Sequence, residues 1–275
     1  MEFAFTEEQE VLRRQAREYL AGRFPGEWEP SSWREIAALG WTGVSVPEEL
    51  GGAGLGFLEE AVLFEELGRT LYPGPYFATV GLALPALGPE LQAKVASGER
   101  TYTVALDGLP PPDRELVDEV VQVDDPQVGR RIRIRGLAAV ALEAVGIAQR
   151  ALELGVEHAK RREQFGRPIG VYQAVSHPLA DTYVETELAR SLAYWAAWCV
   201  AADDEQAPVA AAAAKSYAGD SAVAACERAI QVHGGIGFTW EHVLHRYYKR
   251  ALWIQSFGGY ARHQRAQVAA WLLDS

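Results

Sequence analysis

Cysteine is nearly absent from this sequence: there are two among 275 residues, Cys199 and Cys226, both in alanine-rich stretches with helical spacing. Neither has a second Cys or a His at ligand spacing, which argues against a disulfide framework or a zinc site. Both read as buried thiols. No cluster of His, Cys, Asp or Glu has metal spacing and no Gly-x-Ser-x-Gly elbow is present, which argues against metal and serine-hydrolase chemistry. Long apolar runs are missing as well. None approaches the ~20 residues of a membrane helix, and the opening Met1-Glu2-Phe3-Ala4-Phe5-Thr6-Glu7-Glu8 lacks the basic and apolar regions of a signal peptide. The expected address is the cytoplasm, with no membrane partner.

Positive charge is scarce too. With 26 Lys and Arg against 37 Asp and Glu, the formal net charge is -11. That balance argues against a nucleic-acid surface, which needs basic residues gathered on one face. An anionic small molecule needs only a local positive site. The common nucleotide motifs are absent: there is no G-x-G-x-x-G after a strand and no G-x-x-x-x-G-K-[ST].

At 49% hydrophobic residues, the chain has enough apolar material for one large or two modest cores. The first helix opens on a capping box, Thr6 with Gln9, carries Val11, Leu12, Ala16, Tyr19, Leu20 and Phe24 at helical spacing, and ends before Pro25. A second box, Ser32 with Glu35, predicts a helix through Leu39. The Gly-rich stretch from Gly40 to Gly56 lacks a P-loop lysine and reads as a turn. Helices are predicted over about 58–71 and 80–87. Residues 99–135 change character: Thr101 to Leu106, Val117 to Val123 and Arg131-Ile132-Arg133-Ile134-Arg135 read as short strands. Alternation would put Ile132 and Ile134 on one face and three arginines on the other. From there on, long amphipathic helices with short connections predict a bundle. They cover Leu142 to Ala159 with Glu143 on the polar face, 172–202 with Pro178 near the start, 209–233, a Thr239-capped helix through Leu252, and 262–273.

Two segments at helix ends carry the functional signal. The first is Arg161-Arg162-Glu163-Gln164-Phe165-Gly166-Arg167-Pro168-Ile169, where Lys160, Arg161, Arg162 and Arg167 concentrate positive charge. The second is Gln231-Val232-His233-Gly234-Gly235-Ile236-Gly237-Phe238-Thr239, whose paired glycines permit close backbone approach to a ligand. Arginine and backbone N–H groups together suit a pyrophosphate. Taken alone, the glycines also fit a helix cap and the basic run a surface charge cluster.

In this order the two segments resemble the acyl-CoA dehydrogenase family, FAD enzymes with an Arg-x-Gln-Phe-Gly-x-Pro-Ile segment followed by Gln-x-x-Gly-Gly. Gln173, His177 and Ala180-Asp181 between them match the family as well. The resemblance implies a mainly α fold: an N-terminal helical domain at 1–98, a reduced β segment at 99–135 and a C-terminal helical bundle at 136–275. It implies that Arg162, Gln164, Phe165, Gln173, Gln231, Gly234 and Gly235 meet FAD, and that the reaction is α,β-dehydrogenation of an acyl-CoA thioester.

The chain departs from the family in two places. The family's β-domain is much longer, and its Thr-Glu-Pro segment and Trp-bearing strand, which cover the flavin ring, are not found here. The catalytic glutamate is also missing. One family position for it reads Gln255-Ser256-Phe257-Gly258-Gly259-Tyr260, with glycine, most simply Gly258, in its place; the other reads Arg135-Gly136-Leu137-Ala138. Glu143 and Glu241 are the nearest carboxylates in sequence, and no catalytic residue is assigned. These losses imply a non-catalytic subunit that completes the FAD site of a full-length acyl-CoA dehydrogenase partner across a subunit interface. The alternatives are an active dehydrogenase with an unrecognised base, self-assembled, and a flavin-free helical assembly protein.

Overall fold

The computed structural model describes residues 5–23 and 26–274. Phe24 and Pro25, expected to close the first helix, lie outside the described residues. The order is α1 (Glu7–Leu20), α2 (Pro30–Ala38), α3 (Phe57–Thr70), α4 (Pro89–Ala96), β1 (Tyr102–Ala105), β2 (Glu119–Gln122), α5 (Pro126–Arg161), β3 (Glu163–Gln164), β4 (Arg167–Pro168), α6 (Gln173–Ala201), α7 (Ala207–His233), α8 (Leu244–Ser256) and α9 (Ala261–Asp274), joined by 3₁₀ turns and one π-helical stretch at Phe77–Ala83. The fold is mainly α. Among the described residues, none of the helices is long and apolar enough to cross a membrane.

Helix α5 is the spine. It packs against α3 on one side and against α6 and α7 on the others, while α8 and α9 lie across α7. Small residues permit this proximity. A Cβ on Gly146 of α5 would overlap the Glu65 carbonyl of α3, and one on Gly68 of α3 would overlap the Glu143 carbonyl of α5. On the other flank, α7 buries Ala210, Ala211, Ala214, Ala218, Ala222, Ala225 and Ala229. One continuous core runs from Ala16 to Phe257, with a satellite of Leu152, Ala159 and Leu179.

Helix α3 also carries three buried carboxylates, each answered by an arginine of a different helix. Glu66 takes Arg17 Nε of α1 at 3.1 Å, Glu65 takes Arg190 of α6 together with the Tyr194 hydroxyl at 2.7 Å, and Glu60 takes Arg135 of α5. A carboxylate buried without its partner costs several kcal/mol, so these pairs fix how the helices dock.

The capping box at Thr6 and Gln9 is formed in both directions. The Ser32–Glu35 box is not. Pro30 is the first residue of α2, Ser32 Oγ donates to the Glu29 carbonyl at 2.8 Å, and Glu35 accepts from the Tyr19 hydroxyl at 2.7 Å. In the Gly-rich loop, the N–H groups of Ala53, Gly54 and Leu55 donate to Gly43, Val46 and Val44, so they close the turn on itself.

Strands β1 and β2 pair in parallel, Tyr102 opposite Glu119 through Ala105 opposite Gln122. The third expected strand does not exist: residues 131–135 belong to α5. Asp125 caps that helix, accepting from the N–H groups of Gln127 at 2.7 Å and Val128 at 3.2 Å, and Pro126 is preorganised at the first helical position. The three arginines share no face: Arg131 is exposed, Arg133 donates to the Asp107 carbonyl at 2.7 Å, and Arg135 is paired with Glu60.

Candidate functional site

The first motif segment is a hairpin at the end of α5. Arg162 caps the helix, its N–H donating to the His158 carbonyl at 2.8 Å. Strands β3 and β4 then pair Glu163 with Pro168 and Gln164 with Arg167. At the tip, Phe165 and Gly166 both have positive φ, 54° and 74°, as a tight two-residue hairpin turn requires. The turn throws Phe165 outward, 92% exposed. The Tyr172 hydroxyl donates to the Gln164 carbonyl at 3.1 Å, tying the hairpin to the start of α6, where Gln173 is exposed.

The second segment ends α7. Gly234, at φ 65°, turns the chain out of the helix, and Gln231, Gly234 and Gly235 are exposed. Arg162 and two residues flanking this turn, His233 and Ile236, line one open cleft of about 390 Å³, together with Leu154, Glu157, His158, Arg161 and His242. Of the expected cofactor residues only Arg162 lines it: Gln231, Gly234 and Gly235 do not, and Gln164, Phe165 and Gln173 form an exposed shoulder on the hairpin and the start of α6.

Histidines 158 and 242 were not singled out by the sequence. Both lie against His233 with tilted rings, their centroids 4.2 Å and 4.3 Å from its own. Burial pushes the His158 imidazole below its ordinary value, helped by His233, Arg162 and Arg161; burial also lowers His242, helped by His233, His158 and His245. The clue in the sequence was the i, i+4 pair His158 and Arg162, which places both on one helix face. Glu157 is held by Arg150 at 3.3 Å and Arg161 at 3.2 Å, whereas Arg162 has no ion-pair partner among the described residues. Phosphate oxygens match this donor set.

The two positions where the family places its base turn out to be neighbours. A Cβ on Gly258 would lie 2.9 Å from Leu137 Cδ2, and one on Gly136 would lie 2.5 Å from Leu82 Cδ2 and 3.8 Å from Phe257. Hydrocarbon fills the surroundings, with Phe77 edge-on to Trp253 and Phe257 at 5.8 Å and 5.1 Å. The loop that carries Gly258 is pinned from behind. Lys215 Nζ donates to the carbonyls of Gln255, at 2.8 Å, and Gly259, and Gln264 donates to that of Gly258 at 2.6 Å. Burial lowers the Lys215 ammonium to about 8.

Among the described residues, the nearest atoms to a Cβ at either position belong to Leu137, Leu82 and Phe257 rather than to a carboxylate. Glu60 is held above the usual carboxylate range by burial, against the opposing pull of Arg135 and a Ser45 hydrogen bond, and it is committed to Arg135. Glu143, expected on a polar face, is buried and gripped by Arg250 through Nε–Oε1 at 2.6 Å and Nη2–Oε2 at 2.9 Å. Helix α8 supplies that arginine from a distance in sequence that spacing does not reveal. Glu241 is exposed in the turn before α8, not in the first turn of a helix, because α8 starts at Leu244.

Comparison with known proteins agrees with this architecture. A model of the acyl-CoA dehydrogenase N-terminal domain matches residues 6–93, and one of the acyl-CoA dehydrogenase C-terminal domain matches residues 135–273. Acyl-CoA dehydrogenase IpdE2 of Mycobacterium tuberculosis is 35% identical over 82% of this chain and 81% of its own length. Acyl-CoA dehydrogenase FadE34 of the same organism is 34% identical over 88% of this chain, which spans 43% of that longer relative. Among solved structures, the ChsE4-ChsE5 complex from Mycobacterium tuberculosis superposes with a TM-score of 0.85 at 25% identity, covering 100% of both chains. With both terminal domains matched and a relative this similar along most of its length, the chain belongs to the acyl-CoA dehydrogenase family.

Proposed function

We propose that this chain is the non-catalytic subunit of a heteromeric acyl-CoA dehydrogenase, acting in the cytoplasm, and that it completes the FAD site of a full-length partner. The observation that carries this reading is the filled base position. Where two alternative positions for the glutamate converge, Leu137 crowds Gly258, and Leu82 and Phe257 crowd Gly136. General-base catalysis needs a group that reaches the α proton of the thioester, and hydrocarbon cannot take that proton.

The other half of the family's machinery is kept. Arg162, which lines the cleft with His233 and Ile236 of the second segment, suits the FAD diphosphate, and Gln164, Phe165 and Gln173 form an exposed shoulder beside it. FAD supplies the hydride acceptor in this family, and here the chain's part is binding and orientation. The two short strands β1 and β2 leave the ring's cover to the partner. Ile236 lines the cleft, and Phe238 and Trp240 follow it in the same turn; at 49%, 74% and 80% exposed, the three suit contact with a second chain. The ChsE4-ChsE5 relative was itself solved as a complex of two named chains. The acyl-CoA substrate belongs, on this reading, to the assembled complex.

The test is the flavin-to-protein ratio of the chain purified alone and after coexpression with a full-length acyl-CoA dehydrogenase. The expected result is no flavin alone and retained flavin in a stable complex, reduced by Arg162→Ala. Near-stoichiometric FAD on the isolated chain, with acyl-CoA oxidation, overturns the proposal.

A further inference from the structure

We propose that the His158–His233–His242 column makes the cleft beside Arg162 a proton-coupled site, in which a diphosphate ester binds together with one proton taken up by the His158–His233 pair. The inference rests on the reading of this cleft as the diphosphate half of a shared flavin site, and adds residues and a proton that the motif does not contain.

The geometry selects which imidazole can change state. His242 Nδ1 accepts from the Leu244 N–H at 3.3 Å, so in the neutral ring the hydrogen is on Nε2 and a proton added at Nδ1 would break that bond. His242 is the neutral donor of the column. His233 Nδ1 faces the Ala229 carbonyl at 2.8 Å and therefore carries a hydrogen, leaving Nε2 to accept a proton. The ring of His158 lies 4.2 Å from His233 and makes no hydrogen bond among the described residues. At that separation two imidazolium ions repel strongly, so the pair can take up at most one proton.

The charges around the column decide when that proton arrives. From α5 and its C-cap come Glu157, Arg161 and Arg162; from α7, His233 itself; from the segment leading into α8, His242; and from the first turn of α8, His245. Glu157 is already met by Arg150 and Arg161, so the excess is positive and disfavours a further proton. That is the direction in which burial and the arginines push His158. A diphosphate inverts the local sign. Its two negative charges neutralise Arg162 and make protonation favourable, and by linkage the proton strengthens binding of the anion.

The experiment uses the intact chain, ¹³C-labelled at histidine, and ADP-ribose as the probe, a diphosphate diester whose phosphates stay ionised between pH 5.5 and 8.5 (on the order of three pH units spanning the ordinary imidazole value). Ring resonances of the six histidines are titrated by NMR with and without the probe, and backbone amides of Arg162 and Gly235 report binding. The expected result is an upward shift of about one pH unit or more for His158 or His233, none for His177 or His263, and affinity about tenfold weaker at pH 8 than at pH 6. The variant H158Q/H233Q is expected to keep weak binding through Arg162 and to lose the pH dependence. Binding that moves the amides but leaves every histidine titration unchanged overturns the proton coupling while the half-site reading stands. Absence of binding at both pH 6 and pH 8 overturns the proposal; the half-site reading then stands or falls on the flavin content of the coexpressed complex.

Discussion

Leu137 of α5 occupies the space into which a side chain at position 258 would project: a Cβ there lies 2.9 Å from Leu137 Cδ2, and the Gly258 backbone has φ 62°. Installing the family's glutamate by Gly258→Glu therefore meets both backbone strain and overpacking. The expected cost is about 1–3 kcal/mol in urea unfolding, partly recovered when Leu137→Ala is added. On the partner-subunit reading, which leaves the flavin cover to the partner, acyl-CoA oxidation by the isolated variant, followed with an artificial electron acceptor, is expected to be absent. Turnover by that chain alone would count against the partner-subunit reading.

The Glu60–Arg135 pair gives a prediction with a definite pH sign. Arg135→Met leaves a fully buried carboxyl without its cation, with an expected loss of about 3–5 kcal/mol near neutral pH, and Arg135→Met with Glu60→Gln recovers part of it. Burial already raises Glu60 above its unfolded value, so between those two values the native state holds a proton that the unfolded chain has released. Stability then falls as pH rises through that window. Removing Arg135 takes away the opposing pull and widens the window upward. The difference between wild type and Arg135→Met, measured by denaturant at pH 5 and pH 7.5, is therefore expected to be smaller at the lower pH.

Local signals were readable wherever the sequence stated its own constraint. The Thr6–Gln9 box, the Pro and Gly punctuation, the long amphipathic periods and the ordered pair of motifs all describe chemistry within a few residues, and helices occupy the corresponding places. The failures have two causes, a local pattern that fits more than one element and a partner distant in sequence. Five alternating residues at 131–135 cannot distinguish a strand from a helix whose first buried position is Ile132 and whose next neighbours are Gly136 and Val140. Glu143 looks solvated until Arg250 arrives from α8, and Glu35 looks like half of a cap until Tyr19 and Arg23 claim it. In the site, Arg162 and Gly234-Gly235 were visible as motif, but the cleft beside Arg162 and the His158–His233–His242 column exist only once α5, α7 and the segment before α8 meet.

Phe165 separates stability from assembly. Its ring is 92% exposed and touches Tyr172 at 6.4 Å, so Phe165→Ala is expected to change unfolding free energy by no more than about 0.5 kcal/mol. If a partner subunit covers the hairpin, the same change weakens the heteromer by tenfold or more, since a large aromatic in an interface contributes far more than its neighbours. Differential scanning calorimetry of the isolated chain and sedimentation of the coexpressed pair read the two effects separately. An unchanged complex would place the interface elsewhere.

The start of α5 offers the last test, because one residue decides whether 126–135 is helical. Asp125 accepts from two N–H groups of the first turn, and residues 126–131 bury little, so this turn depends on its cap more than on packing. Asp125→Ala is expected to cost about 1 kcal/mol and to speed amide hydrogen exchange over 127–133, while exchange from Leu137 to Ala159, inside the bundle, stays slow. The consequence reaches the filled base position. Arg133 reaches the Asp107 carbonyl and Arg135 reaches Glu60 from this end of the helix, so a frayed first turn loosens the anchor on the β1–β2 segment before it disturbs Leu137. Rapid exchange extending past Leu137 would show that the cap, rather than the α3 carboxylates, holds the spine in register.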